Sequence, residues 1–291
     1  MTKNSNETAR LIIGCGFLGE RVAQRWLGSG STVFATTRNQ TKAKQFAKAN
    51  IHPIIGDVTT SSGSPNWFQK LPEVDTVLWS VGFDRNAHAN YYDVHVTGLV
   101  RVLDQLPNNP RVIFISSTGI WGTETGEEVD ESTPPCPTRE AGRTLLTAET
   151  SLSRHPKGPG IVLRLAGLYG PDRLPRLQDV RENNPIPADP NSWLNLIHVD
   201  DAAAVICDIA EHSSPEGLYA VSDMKPLQRY DWYSALAEFT NSPQPQWAAE
   251  ASKGRGGNKR VNAHRIWKDI NSQPHYPNAI EAMRLILQKS V

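Results

Sequence analysis

The stretch Leu11–Arg38, LIIGCGFLGERVAQRWLGSGSTVFATTR, contains a glycine-rich turn between an apolar run and an amphipathic segment. Leu11-Ile12-Ile13 predicts a first strand, and Thr32–Ala35 predicts a second. The segment between them predicts a helix, because four apolar residues share one of its faces: Leu18, Val22, Ala23 and Trp26. The glycines therefore lie where a strand ends and a helix begins.

Three glycines of this turn, Gly14, Gly16 and Gly19, have the spacing G-x-G-x-x-G. In a strand–turn–helix context, the first glycine permits a tight turn, the second lets backbone approach a pyrophosphate, and the third lets the helix pack on the strand. The helix N-terminus adds N–H groups and partial positive charge. We therefore predict a dinucleotide-binding turn made of Gly14, Cys15, Gly16, Phe17, Leu18 and Gly19.

The end of the second strand predicts which dinucleotide binds. An acid there would accept a hydrogen bond from the adenosine ribose 2′-hydroxyl group of NAD. Thr36, Thr37 and Arg38 occupy this position instead. Since a guanidinium can pair with a 2′-phosphate and a hydroxyl can donate to it, NADP is favoured over NAD, with Thr37 and Arg38 as contacts. Asp57, after a third predicted strand, is a weaker candidate beside the adenine, because aspartate in such a turn often only caps it.

Short apolar runs alternate with helical segments over the first 170 residues, which predicts an α/β fold with a doubly wound parallel sheet of Rossmann type. Further strands are predicted at Pro53–Ile55, Thr76–Val81, Arg111–Ser116 and Ile161–Leu165, and helices from about His88 to Leu106 and Thr138 to Ser153. The predicted dinucleotide-binding domain is 1–170 with about 195–223, and a small C-terminal substrate lobe is 171–194 with 224–291. The tract from Ser242 to Asn262 is predicted to be a surface loop.

Composition excludes several classes of protein. Lys+Arg and Asp+Glu both number 30, so no nucleic-acid or membrane surface is indicated. Cys15, Cys136 and Cys207 are too far apart for a CxxC motif, and no metal site is predicted. The polar first ten residues and the lack of a long apolar run favour a cytoplasmic protein without a membrane span.

Six motifs occur in order along the chain: GCGFLG, GDVT, WSVG, ISSTGIWG, LRLAGLYGPDRLP and NLIHVDDAA. Together they resemble the extended and atypical short-chain dehydrogenases/reductases, of the NAD-dependent epimerase/dehydratase type, and the YeeZ-like group in particular. The resemblance covers about residues 9 to 287 and implies a nicotinamide dinucleotide as cofactor. It names no substrate. It also implies a homodimer, since relatives often pair through two helices that flank the sheet.

The resemblance implies roles for individual residues. Ser80, Val81 and Gly82 match a segment that passes close to the cofactor ribose and nicotinamide. Ser117 matches a serine that bonds the reacting oxygen of the substrate, and Thr118 takes that role if the register shifts by one. Leu165 falls where the family backbone approaches the nicotinamide carboxamide.

The sequence departs from the family at its acid–base pair. The family carries Y-x-x-x-K on the helix after the fifth strand, and the lysine lowers the tyrosine pKa. Alignment on Glu149 places Ala141 and Leu145 in the tyrosine and lysine positions, and neither can move a proton. No tyrosine lies between Tyr92 and Tyr169, so no shift of register restores the pair.

Three explanations remain open at this point. Other residues could move the proton, with Arg139, Arg143 or His88 in the cleft, although arginine is a poor general acid. The protein could bind NADP as a non-catalytic sensor or regulator. It could also catalyse a reaction that needs the cofactor without a tyrosine. The leading hypothesis is an NADP-dependent oxidoreductase or epimerase acting on a small polar metabolite, such as a sugar nucleotide, and the sensor is the alternative.

Overall fold

The computed structural model describes residues 8–60, 67–83, 89–213, 215, 217–248 and 257–289. The chain divides into two compact units. The first comprises Met1–Ser116, Arg143–Leu163 and Ala203–Leu218, and the second comprises Ser117–Gly142, Arg164–Ala202 and Tyr219–Val291. The candidate base His88 and the neighbouring Asp84 and Arg85 lie outside the described residues.

Strands and helices alternate through the first half of the chain. The elements are β1 (Ala9–Ile13), α1 (Phe17–Gly28), β2 (Thr32–Thr37), α2 (Gln40–Lys48), β3 (His52–Ile55), β4 (Thr76–Trp79), α3 (Gly98–Gln105), β5 (Arg111–Ser117), β6 (Glu128–Val129), α4 (Glu140–Arg154) and β7 (Ile161–Leu165). The predicted helix from His88 to Leu106 is interrupted by a turn of π helix at Asp93–Thr97, which directly precedes α3. The apolar face predicted for α1 is confirmed, because Leu18, Val22, Ala23 and Trp26 are all buried.

The remaining elements are shorter. They are β8 (Gly167–Tyr169), α5 (Leu177–Arg181), β9 (Trp193–Leu194), β10 (Leu196–His198), α6 (Val199–Glu211), β11 (Leu218–Val221), β12 (Leu227–Gln228), α7 (Arg229–Phe239), β13 (Arg260–Val261), α8 (His264–Asp269) and α9 (Ala279–Lys289).

A seven-stranded parallel sheet has the order β11-β7-β5-β4-β1-β2-β3. The chain starts in the middle at β1, which pairs with β2 on one side and β4 on the other. It reverses direction there, so the predicted doubly wound α/β fold is confirmed. Strands β1 and β4 are almost wholly buried, as expected of central parallel strands. Ligands of such sheets bind outside the carboxyl ends of the strands, at the reversal.

The second unit has its own apolar core, in which α7 and α9 contribute Trp232, Leu236 and Met283. Two strand pairs support it, β8 with β10 in parallel and β9 with β12 antiparallel. The predicted surface loop from Ser242 to Asn262 is wrong at its end, because β13 pairs with β6 and Val261 is buried. The polar and glycine residues that precede this short strand gave no strand pattern in the sequence. No helix in the described part of the chain is long and apolar enough to cross a membrane.

Candidate functional site

Gly14 stands at the tightest point of the glycine turn. Its φ of +89° is one that residues with a Cβ rarely adopt, and an added Cβ would lie 2.5 Å from the Val81 Cα. Its N–H donates to the Thr36 Oγ1 at 3.1 Å, and its carbonyl accepts from the Ser80 Oγ at 3.0 Å. Hydrogen bonds to Thr36 of β2 and to Ser80, which follows β4, thus hold the turn after β1 in place. The hydroxyl of Thr36 is hydrogen-bonded to the turn itself, whereas Thr37 is the last residue of β2.

The start of α1 is arranged to receive an anion. Gly16 precedes the helix, makes no side-chain cap, and has no atom within 4 Å of where a Cβ would stand. A Cβ on Gly19 would meet the Gly14 carbonyl oxygen at 3.1 Å and the Ile12 Cγ2 at 3.2 Å. Close packing of helix on strand and an open first turn are the two features that a pyrophosphate needs here. The residues of this turn therefore fit a dinucleotide.

The other residues of the turn shape it without offering reactive groups. Burial raises the pKa of the Cys15 thiol to about 12, so it remains a protonated small side chain. Leu18 is buried under the turn. The Phe17 carbonyl accepts a hydrogen bond from Arg21, whose guanidinium also lies over the Phe17 ring.

Arg38 and Asp57 lie together beyond β2 and β3. The Arg38 Nη1 is 3.8 Å from the Asp57 Oδ2. The Asp57 Oδ1 accepts from both the backbone N–H and the hydroxyl of Thr59, which is the capping role that sequence alone left open. The Thr37 Oγ1 accepts from the Asn39 N–H at the entry to α2. The guanidinium of Arg38, the hydroxyl of Thr37 and the carboxylate of Asp57 thus lie at or just after the ends of β2 and β3 in the first unit.

The second unit contains a cavity of 660 Å³. Ser117, Thr118 and Leu165, which the family resemblance assigned to the site, all line it. Ser117 begins a short 3₁₀ turn, Thr118–Ile120, and its Oγ accepts from the Gly119 N–H at 3.1 Å. That oxygen therefore keeps its own proton for donation to another acceptor.

Four arginines dominate the charge of this cavity, and a single aspartate opposes them: Arg139, Arg173, Arg176, Arg229 and Asp179. Buried Arg229 donates from its Nε to the Ser192 Oγ at 2.8 Å, which fixes the plane of its guanidinium. Arg176 has a φ of +57° and pairs with Asp179 at 2.8 Å. Several oriented guanidinium groups make a site for phosphate or carboxylate oxygens.

Trp193 and Tyr233 add aromatic surface to the cavity wall. The backbone N–H of Trp193 donates to the Asn258 Oδ1 at 2.9 Å, and the Arg260 guanidinium lies 5.7 Å from the centroid of the Trp193 ring. Burial raises the pKa of the Tyr233 phenol, and the charge of Arg229 opposes part of that shift. Both rings are thus held in place, and both are neutral.

Sequence reasoning found part of this cavity. It named Arg139 and Ser117, but it missed Arg176, Trp193 and Arg229. These three are far apart in the sequence, and no spacing links them. The only local signal of a charged site was the pair of arginines in GPDRLPRL, the segment that follows β8.

The two residues aligned with the family's acid–base pair both lie on α4. Ala141 is exposed and Leu145 is buried. Tyr169 does not replace them, because it lies in the core of the second unit with its ring against Trp232 and His198. Within the described ranges, no group of three or more His, Cys, Asp or Glu residues is placed to hold a metal ion.

The model of the NAD-dependent epimerase/dehydratase family matches residues 11–221 of this sequence. The chain belongs to that family. The match starts at β1 and ends with β11, so it takes in every strand of the main sheet. Members of this family use a nicotinamide dinucleotide, in accord with the turn formed around Gly14.

Individual proteins are similar to this chain over almost its whole length. Protein YeeZ of Escherichia coli K12 is 29% identical over 276 residues, which is 92% of this chain and 96% of YeeZ. A structure from Methylobacillus flagellatus, described as an NAD-dependent epimerase/dehydratase, is 30% identical with a TM-score of 0.78 and covers 97% of this chain and 98% of its own. The dTDP-glucose 4,6-dehydratase of Bacillus anthracis, in complex with NAD, shares the fold at 14% identity, with a TM-score of 0.77 and 97% of each chain covered.

Proposed function

We propose that this protein is an NADP-dependent oxidoreductase or epimerase that acts on a nucleotide-linked sugar. The observation that carries the proposal is the cavity of the second unit, with its four arginines, its two aromatic rings and Ser117 on one wall. A nucleotide sugar has a diphosphate for the arginines, a base for the rings and hydroxyl groups for the serine. The name of the dTDP-glucose dehydratase supports the same substrate class.

The dinucleotide belongs to the first unit. The N–H groups after Gly16 would hold its pyrophosphate, and Arg38 with Thr37 would contact the adenosine 2′-phosphate. When bound, NADP supplies a nicotinamide ring that exchanges hydride with a substrate carbon. NADP is preferred to NAD in this proposal because a cation, Arg38, follows β2 where an NAD enzyme has an acid.

The cavity residues bind and orient the substrate. Arg229, fixed by Ser192, would pair with diphosphate oxygens through a planar fork, and Trp193 would stack on the base. Ser117 would donate a hydrogen bond from its hydroxyl group to the reacting oxygen of the sugar, while one of its lone pairs accepts from the Gly119 N–H. This orientation would not require the tyrosine and lysine that the chain lacks at Ala141 and Leu145.

The test uses the full-length protein with NADP⁺ or NADPH and a panel of UDP- and dTDP-linked sugars. Formation or loss of NADPH is followed by absorbance, and inversion at a sugar carbon is followed by proton NMR. We expect turnover of at least one nucleotide sugar and none of the corresponding free sugar. An Arg229→Gln variant should bind that nucleotide sugar at least about tenfold more weakly, since a charged bidentate contact is lost, while its NADPH affinity is unchanged.

A matched control is Arg284→Gln, because Arg284 is exposed on α9 and pairs with Glu281 one turn away. It should bind both ligands as the wild type does. Tight NADPH binding without turnover of any nucleotide sugar would contradict the enzymatic proposal and favour a regulatory protein.

A further inference from the structure

The π turn after β4 carries a polar side chain that the proposed function does not use. This turn, Asp93–Thr97, lies between Tyr92 and α3 and contains His95 at its centre. Turns of π helix are rare, and they occur frequently at functional sites. Gly98 follows the turn and packs closely on Val58, since a Cβ added to Gly98 would lie 3.1 Å from the Val58 Cβ.

The imidazole of His95 is buried, with only 5% of the residue exposed. Neither Nδ1 nor Nε2 has a hydrogen-bond partner among the residues that the structure describes. Buried polar atoms nearly always have a partner, and one without a partner destabilises the fold. A protein that retains two such atoms on one ring is expected to use them for a ligand.

The imidazole packs against the ring of Tyr91, which in turn packs against Phe83. Tyr91 lies one turn earlier, with its ring centroid 4.2 Å from that of His95 and the planes inclined at 45°. Phe83 packs edge-on against Tyr91 at 5.1 Å. We call Phe83, Tyr91 and His95 the aromatic cluster. Stacking leaves the edge of the imidazole, which carries both nitrogens, unused by its ring neighbours.

The aromatic cluster lies on the ligand-binding side of the first unit. Phe83 belongs to the segment that leaves the carboxyl end of β4, and Ser80 and Val81 of that segment contact the Gly14 turn. Ligands of doubly wound sheets bind outside the carboxyl ends of the strands. The cluster is therefore continuous with the turn that fits the dinucleotide.

The chemistry of the ring defines what it can bind. Burial lowers the pKa of His95 to about 4, so the imidazole is neutral at pH 7. A neutral imidazole has one N–H donor and one nitrogen acceptor. A phosphate offers only acceptors and an ammonium only donors, whereas hydroxyl groups offer both. The best match is a ligand rich in hydroxyl groups.

We propose that His95 is a hydroxyl-binding residue of the ligand site, held by Tyr91 so that its two nitrogens contact ribose or sugar hydroxyl groups. This rests on the proposed function, because it assumes that the chain binds a dinucleotide and a nucleotide sugar. The hydroxyl groups could belong to a ribose of NADPH or to the sugar of the substrate. The test separates these two sources.

The direct test is the long-range ¹H–¹⁵N NMR spectrum of the histidine imidazoles in the full-length protein, with His95 assigned from a His95→Phe variant. NADPH and UDP-glucose are titrated separately, and calorimetry establishes saturation. If a ribose is bound, NADPH shifts both His95 nitrogens and UDP-glucose does not. If the sugar is bound, the shifts follow UDP-glucose. Unchanged His95 resonances at saturating NADPH, with or without UDP-glucose, overturn the proposal.

The His95→Phe variant gives an independent readout, because it keeps the stacking and removes only the two nitrogens. We expect the Tm of the unliganded protein to rise by about 2–4 °C, since unsatisfied polar atoms are lost. The Kd of the ligand that shifts His95 should rise at least about fivefold. A purely structural histidine would give a lower Tm and no selective loss of binding, which contradicts the proposal.

Two further variants complete the design. His95→Gln retains one donor and one acceptor and should recover part of the lost affinity. Tyr92→Phe, at an exposed neighbouring position, should change neither Tm nor Kd. If the wild-type protein binds no NADPH at all, the proposed function fails and this inference fails with it. Normal NADPH and UDP-glucose binding in His95→Phe would overturn the role of His95 alone.

Discussion

The guanidinium of Arg38 lies 3.8 Å from the carboxylate of Asp57, so the cation that follows β2 is paired with an acid that follows β3. Both side chains are partly exposed, which limits the strength of this pair. A 2′-phosphate bound here would be attracted by the guanidinium of Arg38 and repelled by the carboxylate of Asp57. The proposed selectivity for NADP would therefore depend on the balance between these two residues.

Replacing Arg38 tests the attractive half of that balance. Arg38→Ala should weaken NADPH binding about tenfold, because one charge-assisted contact is lost, and should leave NADH binding within about twofold. Isothermal titration calorimetry of both dinucleotides measures this. Equal losses for NADPH and NADH would show that Arg38 does not contact the phosphate.

Replacing Asp57 tests the repulsive half. In Asp57→Asn, the side-chain oxygen can still accept from the Thr59 N–H, so the turn is kept while the negative charge is removed. We expect NADPH to bind about two- to fivefold more tightly at low ionic strength, with a smaller gain in high salt. Titrations at two salt concentrations measure it. Weaker NADPH binding would indicate that Asp57 contacts the adenosine directly.

The glycine turn gives a prediction with an internal control. Gly14→Ala should lower the free energy of unfolding by about 2–4 kcal/mol, because Gly14 has positive φ and its new Cβ would meet the backbone at Val81. Gly28→Ala, at the exposed end of α1 with open space around it, should be neutral or stabilising by up to about 1 kcal/mol. Urea denaturation compares them. Similar stability of the two variants would contradict the geometry of the turn.

A buried carboxyl in the second unit predicts a pH dependence of stability. Burial raises the pKa of Asp223 to about 7, with repulsion from Asp201 adding to it and Lys225 opposing it. One carboxylate oxygen, Oδ2, has no partner among the described residues. Because the folded pKa lies above the unfolded value of ~3.9, the folded state holds the proton more tightly and stability falls as pH rises from about 4 to 7.

Asp223→Asn removes this titration. The variant should match the wild type near pH 4 and should be more stable by roughly 1–3 kcal/mol at pH 8. Denaturant unfolding across that pH range measures the difference. A stability difference that does not change with pH would show that Asp223 does not carry the shift.

The parts of the structure that sequence predicted are those fixed by short-range patterns. β7 spans the predicted Ile161–Leu165, and α1 buries the face that its helical period indicates. The Gly14 turn is a local strand–turn–helix motif, so three glycines sufficed to locate it. The family resemblance assigned Ser117 and Leu165 to the site, and both line the cavity of the second unit.

Features that depend on contacts between distant segments were not predictable. The cavity takes Arg139, Arg176, Trp193 and Arg229 from separate stretches of chain, and only folding brings them together. The π turn at His95 is supported from outside its own helix, since Arg101 donates to the carbonyl of Val58 and Gly98 packs on the same residue. A helical period cannot reveal such a tertiary constraint.

We propose that the turn at Gly14 binds a nicotinamide dinucleotide and that Arg38 selects its phosphorylated form. The most direct measurement is isothermal titration calorimetry of the full-length wild-type protein with NADPH and with NADH in the same buffer. We predict one site per chain and a Kd for NADPH at least about tenfold below that for NADH. Equal or tighter binding of NADH would contradict the selectivity, and no binding of either nucleotide would contradict the account as a whole.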